Sequence, residues 1–177
     1  FVFDIEGFLD QNPDFPAVFI GKPIKDYPTI IVDNYNAIRE MMNHLIHVHN
    51  YRKIAFICGP ESHPYSETRY KAYVDSLKSN NIAFNPKLVF KRGSFSTKHG
   101  IKAIYYFLDK QNLRPKKDIE VIASVSDVLS FAAIEELKRR DINVPRDIAV
   151  VGFNNKYESL YSNPTITTIN INFKEMG

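Results

Sequence analysis

"EVIASVSDVLSFAAIEELKRRDINVPRDIAVVGFNN", residues 120–155, contains one complete strand–helix–strand unit. Residues 120–125 are a short apolar run rich in β-branched side chains, long enough for a strand and too short for a helix. Over residues 128–140, Leu129, Ala132, Ala133, Glu136 and Leu137 recur at helical spacing, and the last turn is basic, which suits the negative end of a helix dipole. A second apolar run, residues 148–153, ends in Gly152-Phe153 and then two amides, Asn154 and Asn155. Both runs are apolar throughout rather than alternating, as expected of strands covered on both faces, so the sheet they build is parallel.

The same alternation continues outward. Strands are predicted over residues 17–20, 29–32, 53–58, 87–91 and 167–171. Helices are predicted over residues 36–48, with Ile38, Met41, Met42, Leu45 and Ile46 on one face, and over 66–79 and 97–110. Repeated strand–helix–strand units with short loops give an α/β doubly wound fold with a mostly parallel sheet in a three-layer αβα arrangement. There is no internal repeat, and the ten prolines fall mainly at segment ends.

With 177 residues, 44% hydrophobic and 24% charged, the chain can bury a core of its own. A net charge of +3 is spread along the chain, with Arg114–Lys117 ("RPKK") its one basic cluster, which reads as a solvated loop rather than a nucleic-acid surface. The single cysteine, Cys58, excludes an internal disulfide framework and suits a reducing compartment, so a cytoplasmic location is expected. No apolar run approaches a membrane span of ~18 residues. The abrupt opening "FVFDIEGFLD" is read as continuing from an upstream segment.

In an open α/β sheet, ligands bind beyond the carboxyl ends of the strands. That rule nominates four loops: "GPESHPYSETR" after Cys58, "RGSFST" after Lys91, "SDVL" after Val125 and "NNKYE" after Phe153. They supply a guanidinium at Arg69, an aromatic face at Phe95, a hydroxyl and a carboxylate at Ser126 and Asp127, and the amides of Asn154 and Asn155. An aromatic platform ringed by a few directed polar groups suits a small polar molecule. Each residue also has a plainer reading. Asp127 or Ser126 can cap the helix that follows, Phe95 can pack on the core, Arg69 can be solvated, and the two asparagines can satisfy a turn.

Other chemistry finds less support. In "HLIHVHN" His44 and His47 are three apart while His49 would lie on another face of an α-helix, and no Cys or carboxylate cluster accompanies them, so no metal is expected there. No glycine-rich phosphate loop occurs. No nucleophile can be paired with a base, so an enzyme is not expected, and no cofactor is implied. A phospho-accepting receiver domain would need an acidic pair where this chain has Cys58-Gly59-Pro60.

The stretch "PAVFIGKPIKDYPTIIVDNYNAIREMMNHLIHVHNYRKIAFICGPESHPYSETRYKAY", residues 16–73, resembles the middle of the effector-binding core of the LacI/GalR repressor family. "VIASVSDVLSFAAIEELKRRDINVPRDIAVVGFNNKYESLYSNPTITTININFKEMG", residues 121–177, resembles its later part. The resemblance implies a periplasmic-binding-protein-like pair of subdomains hinged by crossover strands, with a sugar or nucleobase bound between them. Residues 1–28 would end the N-terminal subdomain, 29–166 would form the C-terminal effector-binding subdomain, and 167–177 would return to the N-terminal one. Arg69 matches the family's ligand-gripping arginine, Phe95 its stacking aromatic, and Ser126 and Asp127 its contact pair. Asn154 falls where the family commonly has Asp. An amide there lacks the charge that grips sugar hydroxyls, so the expected ligand carries an acidic or carbonyl group.

The resemblance also implies a homodimer that pairs through the region 128–140 and residues 160–164, with Leu160 and Tyr161 at the interface. The partners implied are a small-molecule effector and DNA, the latter through a headpiece outside this sequence. The other readings are the same sensor on a different signalling output, and an extracytoplasmic solute receptor.

Overall fold

The computed structural model describes residues 4–61, 63–91 and 93–176; within the stretches read above, residues 1–3, Ser62, Arg92 and Gly177 lie outside the described residues. The chain divides into two compact units, Phe1–Asp33 with Asn172–Gly177, and Asn34–Ile171.

The smaller unit contains helix α1 (Ile5–Gln11), strands β1 (Phe19–Ile20) and β2 (Thr29–Ile30), and a short helix α7 (Phe173–Met176). The two strands are parallel, with Phe19 opposite Thr29. Helix α1 is absent from the reading of the sequence, which assigned no element before residue 17. Asp4 starts the helix: its carboxylate accepts the Gly7 N–H at 3.0 Å, the usual way to satisfy a donor of the first turn.

The larger unit is built on a five-stranded parallel sheet in the order β4-β3-β5-β6-β7. Its strands are β3 (Ile54–Ile57), β4 (Val89–Phe90), β5 (Val121–Ser124), β6 (Ala149–Asn154) and β7 (Thr167–Asn170). Every residue of β3 and β5 is buried, so these central strands are covered on both faces. β7 is more exposed, as suits an edge.

Four long helices follow the predicted periodicity: α2 (Asn34–Asn43), α3 (Pro64–Ser79), α4 (Thr97–Tyr105) and α5 (Asp127–Arg139). α2 packs on α3, and α4 on α5. Two of them widen at their C-terminal ends into π-helical turns, His44–Val48 and Tyr106–Lys110, followed by asparagines with φ of 58° (Asn50) and 50° (Asn112). Asparagine tolerates that left-handed geometry better than most residues. A five-residue helix, α6 (Tyr157–Tyr161), lies in the loop after β6 and was not foreseen.

The chain order places β4 on one side of β3 and β5 on the other. The winding direction therefore reverses at β3 and β5, and their carboxyl ends flank the crevice that such a reversal opens.

Candidate functional site

Arg69 comes from the second turn of α3, directly below the loop after β3. It is 6% exposed. Its Nη1 donates to the Val125 carbonyl at 2.6 Å, and its Nε donates to Asn34 Oδ1 at 2.8 Å. The guanidinium carbon lies 3.6 Å from the centre of the Phe153 ring, a cation–π contact with the residue just before Asn154. Arg69 thus spans the carboxyl ends of β5 and β6. Among the described residues no carboxylate forms an ion pair with it, and burial lowers its pKa to about 10, partly offset by Tyr65 and Asp127. The solvated reading of this arginine is therefore overturned: it is a buried cation whose nearest support is neutral.

Asp127 is fully enclosed, at 0% exposure. Its Oδ2 accepts the Lys156 N–H at 2.7 Å, and its Oδ1 accepts the Thr168 hydroxyl at 2.6 Å. Burial pushes its carboxyl above the usual range, while these hydrogen bonds pull it back down. Both carboxylate oxygens are thus engaged within the fold. Asp127 ties α5 to the loop after β6 and to β7. Gly152 makes room for it, because a Cβ there would collide with Asp127 Oδ1. Nor does either candidate cap α5: Ser126 occupies the cap position without a side-chain bond, and Asp127 is the first helical residue. Ser126 itself is buried at the mouth of β5, where its carbonyl accepts the Ser124 hydroxyl at 2.7 Å.

The two asparagines part company. Both have left-handed backbone, with φ of 105° at Asn154 and 52° at Asn155, so the turn reading holds for the main chain. The Asn155 amide is consumed: its Nδ2 donates to Asn170 Oδ1 at 3.2 Å, and its Oδ1 accepts the Ser159 hydroxyl at 3.1 Å. The half-buried Asn154 side chain has no hydrogen-bond partner among the described residues.

Phe95, half-buried after β4, meets the His63 ring edge-on at a centroid distance of 5.1 Å. Gly59 lets it approach, since a Cβ there would crowd both the Phe95 ring and Ser66 Oγ. Among the described residues, His63 Nδ1 and Ser66 Oγ are buried without a hydrogen-bond partner. Sequence reading passed over both. The available signal was their place just after β3: His63 immediately precedes α3, and Ser66 lies in its first turn, about one helical turn before Arg69.

Leu160 and Tyr161 lie on α6, 63% and 80% exposed, beside Tyr157, whose ring stacks on Tyr161 at 6.5 Å. They form an apolar surface patch apart from the Arg69 cluster. A separate cavity of about 720 Å³ opens beside β4, lined by Tyr70, Phe84, Phe90 and Lys91 among others, and contains none of the predicted site residues. Among the described residues no group of three or more His, Cys, Asp or Glu is placed to hold a metal ion, and no helix is long and apolar enough to cross a membrane.

Comparison with known proteins bears on the family and the fold. The profile of the periplasmic binding protein-like domain matches residues 42–177. The HTH-type transcriptional repressor CytR of Escherichia coli K12 is 31% identical over 164 residues, covering 91% of this chain and 46% of that protein. The chain therefore spans about half the length of the curated relatives it matches. Among solved structures, the transcriptional regulator CelR–cellobiose complex is 26% identical with a TM-score of 0.79, covering 95% of this chain and 50% of that one. A LacI-family sugar-binding transcriptional regulator from Escherichia coli, complexed with phosphate, has a TM-score of 0.81 at 21% identity, over 97% of this chain and 61% of that one. At that identity it shows the fold alone. The parallel sheet, the matched profile and the 31% identical repressor lead to one assignment: the chain belongs to the periplasmic binding protein-like domain family, in the form found as the effector-binding core of LacI-family transcriptional regulators.

Proposed function

We propose that this chain senses a small polar metabolite for a cytoplasmic transcriptional regulator. The ligand sits at the carboxyl ends of β3, β5 and β6. Its ring stacks on Phe95, an acidic or carbonyl group meets Arg69, and Asn154 and Ser126 supply directed hydrogen bonds. The observation that carries the reading is Arg69: a buried guanidinium with no carboxylate partner is costly unless something anionic or strongly accepting completes it. His63 Nδ1 and Ser66 Oγ add two further polar groups that a ligand can satisfy. The CelR–cellobiose complex supports small-molecule binding by this kind of core.

In the full-length protein, the other body of such a core closes over the ligand. Differential affinity for the closed arrangement then biases a DNA-binding segment that lies outside this sequence. Residues 1–28 and 167–177 would belong to or lead into that other body. Two copies pair through the α5 region and the exposed Leu160 and Tyr161.

A thermal-shift screen of the intact protein against sugars, sugar acids and nucleobases tests the reading. A true ligand at a hundredfold excess over its Kd stabilises by about 2.7 kcal/mol. Arg69→Lys, which keeps the charge but loses the fork geometry, should abolish the shift. A ligand that shifts wild type and Arg69→Lys equally would refute the assignment.

A further inference from the structure

His44 and His49 are five residues apart. On an α-helical path they would point about 140° away from each other, which is why the sequence places them on separate faces. The π-helical turn His44–Val48 removes that separation. The His49 N–H donates to the His44 carbonyl at 3.4 Å, and the two Nε2 atoms come within 3.1 Å. The rings are 4.8 Å apart between centroids and steeply inclined, at 78°.

That pair of distances is informative. A straight Nε2–H···Nε2 hydrogen bond of this length, collinear with both rings, would hold the centroids about 5.4 Å apart. Two imidazoles whose Nε2 lone pairs converge on one metal ion, at about 2.0–2.1 Å each, would hold them about 4.8 Å apart, with an angle of about 100° at the metal. The observed 4.8 Å separation fits the converging arrangement. We propose that His44 and His49 form a two-histidine chelate for a late first-row transition metal ion, with Cu(II), Ni(II) and Zn(II) as the fitting class, and with water in the remaining positions.

Several features favour it. Both side chains are exposed, so ion entry is open. They border a cavity of about 380 Å³ at the amino ends of β6 and β7, which leaves room for metal-bound water. The Tyr51 ring stacks on His49 at 5.7 Å and 20°, which limits the rotation of that imidazole. Imidazole pairs with open water positions suit Cu(II), Ni(II) and Zn(II), whereas Mg²⁺ prefers oxygen ligands. No third His, Cys, Asp or Glu joins them among the described residues, so the site is a bidentate one. Without a metal the short Nε2–Nε2 distance needs a proton on one of the two atoms; metal binding displaces that proton, and a neutral ring then carries its proton on Nδ1, so both Nε2 atoms become ligands.

The test is calorimetric titration of the untagged intact protein with Ni(II), repeated on His44→Ala, His49→Ala and His47→Ala. His47 shares the turn but not the pair. Losing even an outer-sphere partner of a metal ligand typically costs 10–100-fold in affinity. Each of the first two variants should therefore weaken a one-to-one site at least about tenfold, and His47→Ala should bind as wild type. Copper(II) electron paramagnetic resonance should show two coordinated imidazole nitrogens in wild type and one in either pair variant. Unchanged binding in both pair variants, equal loss in His47→Ala, or equal affinity for Mg²⁺ would each overturn the proposal.

Discussion

The two ends of the five-stranded sheet treat polar groups in opposite ways. At the amino ends, each acidic side chain that begins or precedes a strand is saturated by its own neighbourhood. Glu120 accepts the N–H groups of Arg52 and Lys53 at 2.8 and 2.9 Å. Asp118 takes the Arg114 N–H and Nε at 3.0 and 2.7 Å. Asp147 holds the Asn143 N–H at 2.9 Å and pairs with Arg146 and Lys116. At the carboxyl ends, Arg69 has no carboxylate, His63 Nδ1 and Ser66 Oγ have no partner, and the Asn154 amide is free, all among the described residues. Folding alone would favour the first arrangement at both ends. The second is the arrangement that the proposed ligand would complete.

One residue at the carboxyl end behaves like the amino end, and it gives the largest expected effect. Gly152→Ala drives a methyl group into Asp127 and breaks the carboxylate's hold on Lys156 and Thr168. The expected cost is about 3 kcal/mol in urea denaturation. Wild-type stability in that variant would mean that Asp127 braces nothing and that the two ends differ less than described.

Asn154→Asp sharpens the contrast from the other side, because it puts a carboxylate one residue beyond Phe153, on whose ring Arg69 rests. Acidic ligands should weaken about tenfold, or about 1.4 kcal/mol, and neutral sugars should gain, as read by titration calorimetry. If neutral sugars bind both proteins equally and acidic ones bind neither, the charge argument fails.

The smallest effect is expected at the amino end. Arg114 holds the Asp118 carboxyl well below its usual range, at about 2. A depressed carboxyl contributes its stabilisation above the unfolded value, near pH 4, and loses it as pH falls toward 2. The pair is exposed and salt-screened. Asp118→Asn should therefore lower the thermal midpoint only slightly at pH 7, and that small difference from wild type should shrink as pH falls from 4 to 2.

Much of the architecture was legible because continuous apolar runs and helical periodicity are local signals. All seven strands and the four long helices lie where those signals put them, with ends shifted by a few residues. The site was legible in part. That Arg69, Phe95 and Asn154 lie at or beyond the carboxyl ends of strands follows from the order of loops and strands; their roles are part of the proposal. The role of Asp127 does not follow from that order, because it depends on a glycine 25 positions later and a threonine 41 positions later, which no local pattern links. The His44–His49 pairing was missed because α-helical arithmetic fails where the turn widens to π. The short helices α1, α6 and α7 carry too few turns to show a period.

The place of β3 in the sheet also sets a timetable for synthesis. Its four residues are wholly apolar and buried, yet one of its two neighbours, β5, follows on the order of 70 residues later in the chain. At roughly 5–20 residues per second, β3 leaves the ribosome several seconds before β5 can pair with it. The most hydrophobic strand of the nascent chain is therefore uncovered longest on that side, and this interval is where chaperone capture or misassociation would act.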